Sequence, residues 1–136
     1  MTKLITLIAK NEGFGGPGNI PTLRNNPGDL RHSPHSTHPG GPEHENDIGT
    51  IDTLEHGWED GDRQLFLDAR KIAITDPVTG AKVPMHPYTL RDMAYSWAPL
   101  ADGNPTAAYL ATLVEGFEGV VDESTPLSQV LEIPAS

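Results

Sequence analysis

The sequence predicts an α+β fold, mainly helical, folded as a single domain. Three observations lead there. Apolar residues recur at helical spacing in four stretches, beginning at Leu4, Leu54, Leu90 and Leu110. Fourteen glycines and thirteen prolines gather between Gly13 and Gly49 and in short clusters elsewhere, which breaks that region into turns and short extended pieces. At 136 residues the chain is long enough for one real core and too short for two independent ones. The predicted organisation is a first helix over 1–12, a loop and β lobe over 13–53, a helical lobe over 54–119 and a C-terminal tail over 120–136.

Thr2 is placed to cap the first helix, with Leu4, Ile5, Leu7 and Ile8 as its buried stripe. Glycines 13, 15 and 16 and Pro17 end it. At about 100° per residue, Glu12 lies roughly 20° from Ile5 and 40° from Ile8, so it leaves on the apolar face. In Asn25-Asn26-Pro27-Gly28, Pro27 presets one φ and Gly28 is expected to supply a positive one. The DLR at 29–31 and the IGTID at 48–52 are candidate paired strands. Asp52-Thr53-Leu54-Glu55 matches a capping box ahead of Leu54, Trp58, Gly61, Leu65, Ala69 and Ile72, a long helix that Asp76-Pro77 would stop. Thr89 caps a helix carrying Leu90, Met93, Ala94 and Trp97, ended by Pro99. Asn104-Pro105 opens another, with Leu110, Leu113, Val114 and Phe117 on one face, and Thr125-Pro126 starts a final turn.

The bulk properties exclude several functions. A net charge of −10 argues against a broad basic surface for nucleic acid or anionic membranes. Without cysteine there is no disulfide framework. The apolar run LITLIA is interrupted by Lys10, Asn11 and Glu12, too soon for a signal peptide or a membrane span. The expectation is a monomer made in the cytoplasm without a signal peptide, needing no organic cofactor.

The stretches NEGFGG (11–16), RNNPGDLR (24–31) and WAPLADGNPTAAY (97–109) together resemble the lysozyme-like superfamily. In particular they are similar to the phage and prophage peptidoglycan-degrading and virion-associated proteins that carry an NNPGN-type motif. The likeness runs from about Leu4 to Gly119, and RNNPGDLR is its most specific part. It implies a helical lobe, a small β-hairpin lobe and a cleft that holds a glycan strand. It also matches Glu12 to the catalytic glutamate at the end of the first helix. Breaking a glycosidic bond needs a proton on the leaving oxygen, and a carboxyl group in a partly apolar setting can hold one near neutral pH. The bland alternative for Glu12 is a solvated helix end.

Glycosidases commonly use two carboxylates, whose separation distinguishes retaining from inverting chemistry. Asp29 stands where the related motif more often has asparagine. It is either a second carboxylate or a residue that closes its own turn, and the turn role is favoured. Asp47, Thr50 and Asp52 are the other candidates, Thr50 as a water-positioning residue and Asp52 chiefly as a helix cap. Asn25 and Asn26 carry amides suited to sugar hydroxyls. Tyr109 borders the face of its helix, and in similar enzymes a tyrosine from this region lines the site. Trp97 is a sugar platform or, more in keeping with its spacing, core. Four of the six histidines, His32, His35, His38 and His44, lie near Glu43 and Glu45 but match no metal motif, so no metal is expected.

The leading expectation is therefore glycan-strand cleavage in peptidoglycan, as muramidase or lytic transglycosylase, with Glu12 as general acid. The protein would reach the wall after release from the cell, as an endolysin does, or as part of a virion. The alternatives are a virion or secretion-apparatus component that binds glycan without cutting it, favoured mildly by the acidic composition, and a histidine-rich metal-binding domain.

Overall fold

The computed structural model describes residues 1–16, 18–37 and 48–135. Over these residues the chain is α+β, with six α-helices and two small antiparallel hairpins. Contacts divide it into two compact units, Met1–Leu65 with Pro134–Ser136, and Phe66–Ile133. The division falls within one helix.

In the first unit, α1 (Lys3–Asn11) buries Leu4, Ile5, Ile8 and Ala9. The Thr2 side chain accepts the Ile5 amide at 3.1 Å and donates its own hydroxyl to Asp62 at 2.6 Å, so the cap also ties the helix to its neighbour. At the other end Glu12 is the C-cap and Gly13 follows with φ +83. The Gly13 amide donates to the Lys10 carbonyl (3.1 Å) and the Phe14 amide to Ala9 (2.9 Å), which is the paired bonding of a Schellman motif. The Phe14 ring then meets Trp58 edge-on at 5.3 Å.

After α2 (Ile20–Leu23), strand β1 (Ser36–Thr37) pairs antiparallel with β2 (Thr50–Ile51), Ser36 opposite Ile51 and Thr37 opposite Thr50. The expected strand at 48–52 is thus present in part, but its partner is not DLR. Residues 29–31 form no strand, and their one backbone bond to the β2 side is that of the Gly49 amide to the Leu30 carbonyl, at 3.0 Å. Helix α3 (Leu54–Asp68) begins one residue later than the expected cap implies. Thr53, not Asp52, accepts the His56 amide (3.1 Å), and Asp52 instead accepts the Thr53 amide (2.8 Å).

Two glycines one turn apart make the face of α3 that the rest of this unit approaches. A Cβ at Gly61 would come within 2.6 Å of Ile5 Cδ1, and one at Gly57 would run into the Asn25 carbonyl and lie 2.9 Å from Pro27. Gly61 therefore admits α1 and Gly57 admits the NNPG turn. The two motif-bearing segments are seated on one helix because it lacks side chains at these positions.

The second unit departs from the helical lobe expected over 54–119. Beyond α3, residues 72–87 form a hairpin, β3 (Ile72–Thr75) with β4 (Lys82–Pro87), Ile72 opposite Pro87 and Ala73 opposite His86. Ile72 had matched the helical stripe of α3, yet it is a strand residue. Asp76-Pro77 makes the hairpin turn rather than a helix stop: the Asp76 carboxylate accepts the Val78 and Thr79 amides, and Gly80 takes φ +72. Helix α4 (Leu90–Trp97) has the full capping box of Thr89 and Asp92. A 3-10 turn at Leu100–Asp102 leads to α5 (Thr106–Gly116), whose N-cap is Pro105 rather than Asn104, and α6 (Leu127–Val130) follows Pro126 as expected. Leu90, Met93, Ala94, Leu110, Leu113, Phe117, Leu127 and Val130 are the core of this unit.

Candidate functional site

The NNPGD turn is built from its buried asparagine outward. Asn26 is fully buried, and its amide donates to the carbonyls of Leu30 (2.7 Å) and Gly49 (2.8 Å) while its oxygen accepts the Leu30 amide (2.9 Å). These bonds join the turn to the stretch leading into β2. The residue expected to bind substrate is thus fully buried, with its side chain bonded to backbone groups. Asn25 is half-buried and donates to the Ile51 carbonyl at 3.3 Å. The Arg24 guanidinium donates to the Ile48 carbonyl, fastening the same two segments.

The left-handed backbone of this stretch falls on Asn25 (φ 50) and Asp29 (φ 54) rather than on Gly28. Asparagine and aspartate are the non-glycine residues that tolerate such φ values best, which accounts for an Asx residue at both ends of the turn. The Asp29 amide donates to the Asn26 carbonyl at 2.9 Å, closing the turn through the backbone. Its side chain is then available for something else.

That side chain meets Glu12: the two carboxyl groups are hydrogen-bonded to each other. The helix end and the NNPGD turn, separate motifs in the sequence, converge on this contact. Asp29 Oδ1 is buried and has no hydrogen-bond partner. Burial pushes the Asp29 carboxyl above its ordinary pKa, opposed by the bond from Glu12 and by the charges of Arg24 and Arg31. Glu12 itself is half-buried at the C-cap of α1, next to Gly13.

The remaining candidates are dispersed. Thr50 lies in β2, its carbonyl accepting the Thr37 hydroxyl at 3.4 Å, and Asp52 is bonded to His56. Trp97 ends α4 and Tyr109 is in α5, both half-buried and both in the second unit. Asp47, His38, Glu43, His44 and Glu45 lie outside the described residues.

A second polar cluster joins residues that no sequence motif marks as a group. Asp60, 2% exposed on α3, accepts both the His35 amide (3.0 Å) and, at 2.7 Å, the His35 ring Nδ1. The His35 ring stacks on His56 at 3.8 Å, and His56 Nδ1 meets Asp52 at 2.7 Å. The signal was available in the spacing of Asp52, His56 and Asp60 at successive intervals of four, which lines them along one face of a helix start. Among the described residues no three metal-ligating side chains converge. These two histidines are held by carboxylates and clamp β1 to the first turns of α3.

No protein-family model matches the chain, and no curated protein and no solved structure matches it. Among the described residues no helix is long and apolar enough to cross a membrane.

Proposed function

We propose that this protein cleaves the glycan strands of peptidoglycan, with Glu12 as the general acid, in a lysozyme-like arrangement of its helices and small β elements. The observation that supports this reading is the hydrogen-bonded pair of Glu12 and Asp29 at the junction of α1 and the NNPGD turn. A carboxyl–carboxyl hydrogen bond requires a proton on one partner, and a proton-bearing carboxyl is what a departing glycosidic oxygen needs. Asn25 and Thr50, in the same unit as Glu12, are the residues this reading assigns to glycan contact and water positioning.

Directly bonded carboxyl groups are closer than the ~5–5.5 Å of retaining pairs or the ~6.5–9.5 Å that leaves room for water in inverting ones. Asp29 therefore does not act from the opposite face of the sugar. The test is release of soluble fragments from purified peptidoglycan by the wild type and by Glu12→Gln. Equal release by both would sink the assignment. Mass spectrometry of the products separates hydrolysis, which leaves reducing ends, from transglycosylation, which leaves 1,6-anhydro ends. A net charge of −10 favours one alternative, a virion or secretion-apparatus component that binds the glycan without cutting it. Wild-type protein that sediments with peptidoglycan yet releases nothing would establish it.

A further inference from the structure

The residue at position 29 raises a question that a turn alone does not answer. Its backbone needs only a residue that tolerates φ 54, and asparagine would serve equally. Aspartate differs from asparagine there by its ability to carry, share or lose a proton. It is placed where that ability matters, against the Glu12 carboxyl, with its other oxygen buried and unpartnered. A fully ionised pair would set two anions in contact and bury a carboxylate oxygen that accepts no hydrogen bond, an arrangement that proteins avoid by retaining one proton.

We propose that Asp29 is a positioning residue that holds Glu12 through one shared proton, and that this proton is the one delivered to the leaving glycosidic oxygen. The proposal rests on the glycan-cleaving reading of the site. In the step it serves, the bond between the anomeric carbon and the leaving oxygen breaks and that oxygen takes the proton. An oxygen nucleophile, water or a hydroxyl of the same sugar, bonds to the anomeric carbon and returns its own proton to the pair. The two carboxyl groups thus begin and end each turnover with one proton between them. Because the donation leaves two adjacent anions, recovery of a proton is favoured, and the pair resets without a third carboxylate. The charges of Arg24 and Arg31, which act on Asp29, temper the doubly ionised state.

Such a pair titrates as a unit, in two macroscopic steps that belong to neither residue alone. The decisive experiment combines carboxyl-carbon NMR titration of 13C-labelled protein with pH profiles of peptidoglycan release, for wild type, Asp29→Asn and Glu12→Gln. In the wild type the two side chains are expected to titrate together, with the upper step above the ordinary carboxylate range. Glu12→Gln should leave Asp29 titrating in one step. Asp29→Asn keeps the turn but gives Glu12 an amide donor that favours its ionised form. Its activity should fall about tenfold or more on the alkaline limb and recover on acidification, since each unit of pKa is a factor of ten in the protonated fraction. Superimposable pH profiles for wild type and Asp29→Asn would overturn the proposal while leaving the role of Glu12 intact. Two carboxyl groups that titrate independently in the wild type would overturn it even if the protein is lytic. Wild-type protein that releases nothing defeats the glycan reading and the use made of the proton, whereas the two-step titration still decides whether the proton is shared.

Discussion

Asn26→Ala is expected to be among the most damaging single changes in the first unit. The side chain is fully buried and makes three short hydrogen bonds, to the Leu30 carbonyl, the Gly49 carbonyl and the Leu30 amide. At about 1 kcal/mol net per bond the loss is about 3 kcal/mol, and leaving a buried amide without this partner adds a further ~1–3 kcal/mol. The Leu30 carbonyl fares better, because it still accepts the Gly49 amide at 3.0 Å. The total, about 4–6 kcal/mol, is a large part of the ~5–15 kcal/mol that holds a typical domain folded. Asn26→Asp preserves shape but replaces two donors with an oxygen facing two carbonyls, so it should cost as much at neutral pH. Asn25→Gly is the control: it keeps the left-handed backbone and removes a single 3.3 Å bond, for about 1 kcal/mol or less. Urea unfolding with the slope held in view measures all three. An Asn26→Ala midpoint shift worth under about 1 kcal/mol at unchanged slope would refute the assignment of Asn26 as the strut of the turn.

Two further predictions follow from the same unit. Gly57→Ala would gain about 1 kcal/mol of helix propensity but force its methyl into the Asn25 carbonyl and Pro27, for a net loss of about 1–3 kcal/mol and a displaced NNPGD turn. Thermal unfolding no lower than wild type would show that α3 does not seat the turn there. For the exposed His56–Asp52 pair, the bond to Asp52 raises His56 above 6.5 and the bond to His56 lowers Asp52 below 3.8. The His56 contribution is full below 6.5 and is lost as pH rises through its raised folded value, while that of Asp52 is present above 3.8 and is lost as pH falls through its depressed one. Asp60 and Glu59 add to the field that favours His56 protonation. The difference in Tm between wild type and Asp52→Asn should therefore be widest near pH 5–6, narrow above neutrality and shrink with salt. A difference that grows with pH would contradict this assignment.

What was legible in the sequence were the features written in local chemistry. Thr2, Thr89 and Pro126 mark helix starts because a hydroxyl or a fixed φ acts on its immediate neighbours. Gly13 ended the first helix as expected. The hairpin at 72–87 was hidden because Ile72 continued the apolar spacing of α3, and because β3 exposes Ile72 and Ile74 and buries only Ala73. Alternation with bulky residues outside is the reverse of the usual signal. The bonding of Asn26 was hidden for another reason. Its partners Leu30 and Gly49 become neighbours only when the chain returns toward β2, so an amide that looked free for sugar was already spent. The contact of Asp29 with Glu12 spans seventeen positions and depends on α3 offering Gly57 and Gly61 as seats, which no local pattern announces.

The two glycines of α3 and the two acids of the site are thus parts of one arrangement. Gly61 lets Ile5 press close, which fixes the height at which α1 ends and Glu12 projects. Gly57 lets the Asn25 carbonyl press close, which fixes the NNPGD turn and the projection of Asp29. Each acid's segment is anchored through backbone, by the Schellman bonds at Gly13 on one side and by the Asn26–Asp29 bond on the other. Carboxyl groups brought into contact by two separate close packings are costly to fold if both are ionised. A fold indifferent to their chemistry would relieve that cost by the single change of Asp29 to asparagine. Retaining aspartate makes sense physically where the shared proton is put to use.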